Sequence, residues 1–243
     1  MNSFLSIYKV QPGVAIPITI PDPIVSYNFA TSDVSGGNVR NTIDGTYDLN
    51  LKNGASVGVF NAKNCLILSN PTFTTNFTGQ YAQLVNGNKY LTTSTTYTGV
   101  TYSFWVYNTT VGAVNNAFFS WGGSANTMVS AYGSGGVARL TMKGGSALRS
   151  TPSYFAAGNW YYVAAVVDST SSTATMYVNT VSALTQAGPF VINGDRSANP
   201  LAIGGTSVYT SEPTINGYIA NFRLYPTALT TQQINYIYSQ GIQ

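Results

Sequence analysis

The side chains that could do chemistry in this chain are few. No histidine occurs among its 243 residues, which removes the Ser-His-Asp and Cys-His arrangements and the usual zinc ligands together. Glycoside hydrolysis needs an acid and a nucleophile or base flanking the bond. The only glutamate, Glu212, stands beside Pro213 where a turn is expected, and the closest acid pair, Asp44 and Asp48, falls in a Gly-containing turn region and reads as solvated. Cys65 is the single cysteine, so no internal disulfide forms; among Leu66, Ile67 and Leu68 it reads as a small buried apolar residue. Gly133-Ser134-Gly135-Gly136 lacks the lysine and following helix of a phosphate loop.

What remains is recognition by rings and amides. Trp121-Gly122-Gly123-Ser124-Ala125-Asn126 and Tyr132-Gly133-Ser134-Gly135 read as loops in which an aromatic ring stands beside amides or hydroxyls. Sugar rings present apolar faces that stack on such rings, while their hydroxyls pair with planar amides. Trp121, Asn126, Tyr132 and Arg149 are therefore the candidate carbohydrate-binding residues. The alternative for Trp121 is a ring that closes the core, with the glycines only making turns. Arg149, with Asn193, Asp195 and Arg196, falls in other predicted loops, and Asn76 and Asn108 head Asn-x-Thr sequons.

Composition narrows the class. Charged residues make up 7% of the chain and apolar ones 44%, against about 25% charged in ordinary soluble proteins. Polarity must come from Ser, Thr, Asn, Gln, Gly and Tyr, which fits a β-rich extracellular or particle-associated protein. The formal charge of +3 comes from scattered residues without a basic run, so nucleic acid is not an expected partner. No apolar run approaches the ~18 residues of a membrane helix, and residues 1–10 lack a signal-peptide pattern. The expected location is a virion or an extracellular surface reached by another route.

The elements that must position these residues can be read along the chain. Residues 1–23 contain Pro12, Pro17, Pro21 and Pro23, which excludes a helix or a central strand. They read as an extended arm, lying along its own domain or reaching a neighbour, ahead of one domain over residues 24–243. Strands are expected at 57–60, 64–68, 102–107, 117–122, 138–142 and 158–168, with 117–122 pairing beside 102–107 and 158–168 central because both its faces are apolar. From 218 to 225 the side chains alternate. Tyr218, Ala220, Phe222 and Leu224 take one face, and Ile219, Asn221, Arg223 and Tyr225 the other. After Pro226, Thr230 and Gln233 form a capping box, Leu229 and Ile234 a hydrophobic staple, Ile234, Ile237 and Tyr238 an apolar helix stripe, and Gly241 a left-handed stop.

The run Asn216-Gly217-Tyr218-Ile219-Ala220-Asn221-Phe222-Arg223-Leu224-Tyr225, with Ala228-Leu229-Thr230 and Gln233-Ile234, resembles the closing segment of laminin-G-like, concanavalin-A-like jelly-roll domains. Asp33-Val34-Ser35-Gly36 resembles that family's opening turn, Trp160-Tyr161-Tyr162-Val163-Ala164 its "Trp-x-x-Val-Ala" strand, Met176-Tyr177-Val178-Asn179 its "Leu-Tyr-Val-Asp" strand, and Leu201-Ala202-Ile203-Gly204 its "Leu-x-Ile-Gly" strand. The resemblance implies an all-β, two-sheet antiparallel jelly-roll sandwich with a short C-terminal helix. It brings calcium into view through Asp33, Asp168 and Asp195, but Ala220 stands where the family usually places Asp, so no metal and no cofactor are expected. The first expectation for function is a non-catalytic interaction module, a structural or surface component of a viral or other extracellular particle that contacts protein neighbours through its arm. The alternative is a glycan-binding, lectin-like adhesin, and a glucanase-type hydrolase ranks third because the acids are too few.

Overall fold

The computed structural model describes residues 17–70, 79–85, 97–110, 116–121, 127–132, 136–141, 148–188, 200–205 and 214–243. The chain opens with β1 (Val25–Tyr27), β2 (Val34–Ser35), β3 (Asn38–Val39) and β4 (Leu49–Lys52). A hairpin of β5 (Ser56–Phe60) and β6 (Lys63–Leu68) follows, then β7 (Tyr81–Leu84), β8 (Gly99–Asn108), β9 (Asn116–Trp121) and β10 (Thr127–Tyr132). The remainder is β11 (Val137–Thr141), β12 (Leu148–Ser153), β13 (Trp160–Asp168), β14 (Thr173–Val178), β15 (Val181–Ala187), β16 (Ala202–Ile203), β17 (Gly217–Tyr225) and the helix α1 (Thr231–Ser239).

These strands form two antiparallel sheets packed face to face. The first runs β15-β14-β13-β8-β17-β6-β5, and β1 shares one edge of β17 with β6; the second runs β12-β11-β10-β9-β16-β7-β4-β3-β2. Their facing sides supply the core: Phe104, Val106, Val163, Ile219, Phe222 and Leu224 meet Leu49, Leu84, Phe118, Phe119, Val129 and Ile203. Each such side chain contributes roughly 1.5–3 kcal/mol on leaving water, and the rings interlock, with Tyr102 and Phe119 at 4.8 Å and Phe104 edge-on to Phe119 at 5.7 Å.

Those contacts correct one expected pairing. β9 is not the neighbour of β8 within a sheet but lies opposite it, paired instead with β10 and β16, while β8 pairs with β13 and β17. Both strands are apolar on the side they share, and periodicity does not tell a lateral neighbour from a facing one. Strand β13 does lie inside its sheet, between β14 and β8.

The strict alternation expected across β17 also fails. Asn221 takes a left-handed φ of 48°, and the register with β8 shifts between Ala220 and Arg223. This bulge resets the phase, so Ile219 joins Phe222 and Leu224 in the core. The break divides the strand's other edge, where β6 pairs with Gly217 to Ile219 and β1 with Phe222 to Leu224.

α1 lies on the outer face of the first sheet. Thr230 Oγ1 accepts from the Gln233 N–H at 3.2 Å and Gln233 Oε1 accepts from the Thr230 N–H at 2.9 Å, completing the capping box. Leu229, Ile234 and Ile237 pack on Tyr162, Ala164, Val166 and Tyr225, and Gly241 turns left-handed at φ 68°. Of the proline-rich segment, Thr19 accepts from Gln233 Nε2 at 2.8 Å and Ile20 packs against this cluster. Residues 1–16 of the expected arm lie outside the described residues.

Candidate functional site

Three of the residues singled out for carbohydrate lie on strands and not in loops. Trp121 ends β9, Tyr132 ends β10 and Arg149 sits in β12, while Asn126 is outside the described residues. Trp121 faces Thr127 at the start of β10, so Tyr132 is five residues further along, about 17 Å at the rise of a strand. Arg149 faces Arg139, which in turn faces Ser130, and so belongs to neither end. Asn193, Asp195, Arg196, Glu212 and Asn76 are also outside the described residues.

Other rings do converge, on the outer face of the first sheet. Trp160 stands opposite Tyr107 and Tyr107 opposite Tyr218, so three neighbouring strands place three aromatic side chains in one row. The ring centroids of Trp160 and Tyr107 are 5.6 Å apart and those of Tyr107 and Tyr218 5.7 Å apart, both edge-on. Phe60 completes the group by lying flat on Tyr218, at 3.8 Å and 10°, and edge-on to Tyr107 at 4.9 Å. All four are half-buried.

Local sequence explains the arrangement. Gly217 lies so close to β8 that a Cβ there would meet the Tyr107 carbonyl oxygen at 1.9 Å, and only glycine lets the two backbones approach at that point. Asn61 and Ala62, with φ of 50° and 59°, make the tight turn that sends β5 back as β6 and leaves Phe60 at its end. The alternation read from the sequence put Tyr218 on the face of Phe222 and Leu224; the bulge at Asn221 resets the phase and turns Tyr218 outward beside Tyr107. Their coincidence with Trp160 was not legible, because it depends on register between segments more than fifty residues apart.

The chemistry of this surface is that of contact. Burial raises the pKa of Tyr218, with Cys65 and Tyr107 adding to the shift, so its hydroxyl stays protonated at neutral pH. Asn61 and Asn159 expose carboxamides nearby in sequence, and Lys63 faces Phe60 across the hairpin. No carboxylate lies on the row.

Four of the described aspartates have structural partners instead. Asp168 ends β13 and accepts from the N–H groups of Thr170 and Ser171 and from Ser171 Oγ, which lowers its pKa. Asp44 accepts from Asn41 Nδ2 and from both Thr46 donors, with the same effect. Asp48 accepts from the Asn41 N–H at 3.3 Å, and Asp33 from the Ala30 N–H at 3.2 Å. Asp33 and Asp44 line one open cleft of about 470 Å³ with Ser32, Arg40, Asn41 and Ile43. Among the described residues no three His, Cys, Asp or Glu side chains group as metal ligands would.

The fold is a two-sheet antiparallel jelly-roll sandwich with a helix on one outer face. The sequence profile of the concanavalin A-like lectin/glucanases superfamily matches residues 73–235, and the chain belongs to that superfamily. No curated protein matches it in sequence. Among solved structures it is similar to domain 4 of AbnA, a GH43 extracellular arabinanase from Geobacillus stearothermophilus, in complex with arabinotriose. That match has a TM-score of 0.64 at 16% identity and covers 89% of this chain and 98% of that one. It is also similar to the binding domain of botulinum neurotoxin DC in complex with SialylT (TM-score 0.64, 14% identity, 91% of this chain and 52% of that one). A third is Trypanosoma rangeli sialidase (TM-score 0.63, 13% identity, 90% and 33%). The chain thus spans about half of the toxin domain and a third of the sialidase. Identities this low establish the shared fold.

Proposed function

We propose that this domain is a non-catalytic glycan-binding module of the cell exterior, and that Phe60, Tyr107, Trp160 and Tyr218 form its sugar-stacking surface. The observation that carries the proposal is the convergence of four half-buried rings from β5, β8, β13 and β17 on one outer face. Rings held in this way offer flat apolar area at low entropic cost, and the carboxamides of Asn61 and Asn159 supply the complementary polar contacts. Support also comes from the arabinotriose and SialylT complexes of two domains with this fold, one from an extracellular enzyme. The absence of a carboxylate on the row supports binding without cleavage, since hydrolysis takes two flanking acids.

A glycan array probed with the wild-type protein and with Trp160→Ala and Tyr218→Ala tests the proposal. Binding to a neutral oligosaccharide should fall at least tenfold in both variants, with the two-state unfolding transition retained. If the variants bind as the wild type does, or if no sugar binds at all, the four rings only close the sheet. A second reading, contact with protein neighbours, is favoured by Val59 and Val181, 63% and 56% exposed on the two edge strands β5 and β15. Unpaired apolar edges favour strand addition, and sedimentation of the purified chain as a concentration-independent monomer would exclude self-association through them.

A further inference from the structure

The outer face of the second sheet carries a different set of groups. Asn38 faces Asn50, Asn50 faces Gln83, and Gln83 faces Ala202, so three carboxamides stand in register at the ~4.8 Å spacing of neighbouring strands. Lys52 lies two residues along β4 from Asn50, on the same face. Together with Leu84, Val85 and Pro200 these residues line a groove of about 300 Å³, at the small end of the roughly 300–1,000 Å³ range of ligand sites.

Most of its hydrogen-bonding capacity is unspent. Asn50 Nδ2 donates to Asn38 Oδ1 at 2.9 Å, which fixes both amides and leaves Asn38 Nδ2 and Asn50 Oδ1 for a ligand. Among the described residues neither the Gln83 carboxamide nor the Lys52 ammonium has a hydrogen bond or ion pair, and all four side chains are half-buried. β4 is paired on both edges, with β3 and β7, so its backbone is committed to the ladder and a peptide could not dock there by strand addition. What the groove offers is a planar row of mixed donors and acceptors ending in one positive charge.

We propose that this groove is a second, separate binding site that takes a carboxylate-bearing sugar, with the carboxylate on Lys52 and the ring hydroxyls on Asn38, Asn50 and Gln83. A single lysine suits a monoanion, and amides able to donate and accept suit hydroxyls, which do both. The site lies on the sheet opposite the one that carries the aromatic rings, so each can be lost without the other.

Titration calorimetry with trigalacturonic acid and with its fully methyl-esterified, uncharged counterpart tests the proposal on the wild type, Lys52→Gln, Gln83→Ala and Trp160→Ala. The wild type should bind the acid at least tenfold more tightly than the ester. Lys52→Gln should remove that preference, Gln83→Ala should weaken both ligands, and Trp160→Ala should leave the preference intact. Equal affinity for acid and ester, no detectable binding of either, or a preference that survives in Lys52→Gln would each overturn it. A preference lost only in Trp160→Ala would move the anionic sugar to the aromatic surface. Neutral-glycan binding by Lys52→Gln on the array reports on that surface alone, so failure of one site is distinguishable from failure of the other.

Discussion

Cys65 shows how burial dominates the behaviour of a side chain in this protein. It is fully enclosed, its thiol reaches the Gly58 carbonyl at 3.7 Å, and desolvation, outweighing a backbone hydrogen bond at Phe60, pushes its pKa from 9.0 up to about 11. The unfolded chain therefore loses this proton first as the pH rises. Stability should fall between pH 9 and 11 by about 1.4 kcal/mol per unit for this group. Buried Tyr162, also raised, acts in the same direction. Urea midpoints measured at pH 8 and 11 should show a smaller loss in Cys65→Ala than in the wild type. The acid side has the opposite sign. Asp44 has a lowered pKa because Thr46 and Asn41 bond its carboxylate, so its contribution is present above pH 3.8 and lost as the pH falls below it. Asp44→Asn should flatten the onset of acid unfolding, read by circular dichroism between pH 5 and 2.

At the scale of elements, the bulge in β17 and the cap of α1 carry the distinguishing features. Asn221 sits at a left-handed φ of 48°, a conformation that Asn and Gly tolerate and a β-branched residue does not. Asn221→Gly should stay within about 1 kcal/mol of the wild type, whereas Asn221→Val should cost about 1–3 kcal/mol, as measured by denaturant unfolding. If the two variants were equally stable, the bulge would not depend on that conformation. Thr230→Ala removes the side-chain half of the capping box and should cost about 1 kcal/mol. The hydrophobic cluster under α1 remains in that variant, so the helix should persist with a frayed first turn, visible as faster amide exchange at residues 231–233.

For the molecule as a whole, the order of the strands matters more than any single contact. β17, the last strand of the chain, lies inside the first sheet, flanked by β8 on one side and by β6 and β1 on the other. The sheet is therefore incomplete until the C-terminal segment has been made, and pairings this distant in sequence form slowly. A chain ending at Asn216 should show no cooperative unfolding transition and should bind a hydrophobic dye, while the full chain unfolds in one step. A truncated chain with a sharp thermal transition would show that the remaining strands can close the sandwich by themselves.

Much of this was legible in residues. The capping box of Thr230 and Gln233, the left-handed stop at Gly241, the strand around Trp160 and the family resemblance of the closing segment all rest on local patterns, because turn chemistry and side-chain period are properties of a few neighbouring residues. Tertiary structure decided the rest. β9 could face β8 or pair with it on the same apolar pattern, and Tyr132 and Arg149 read as loop residues though each lies on a strand, while Trp121 ends the strand expected at 117–122. The row of Trp160, Tyr107 and Tyr218, and the row of Asn38, Asn50 and Gln83, exist only once strands distant in sequence are set in register. Sequence patterns determine which face of a strand a side chain takes. Only the hydrogen-bonded ladders between strands determine which side chains stand next to one another, and both proposed sites are made by that adjacency.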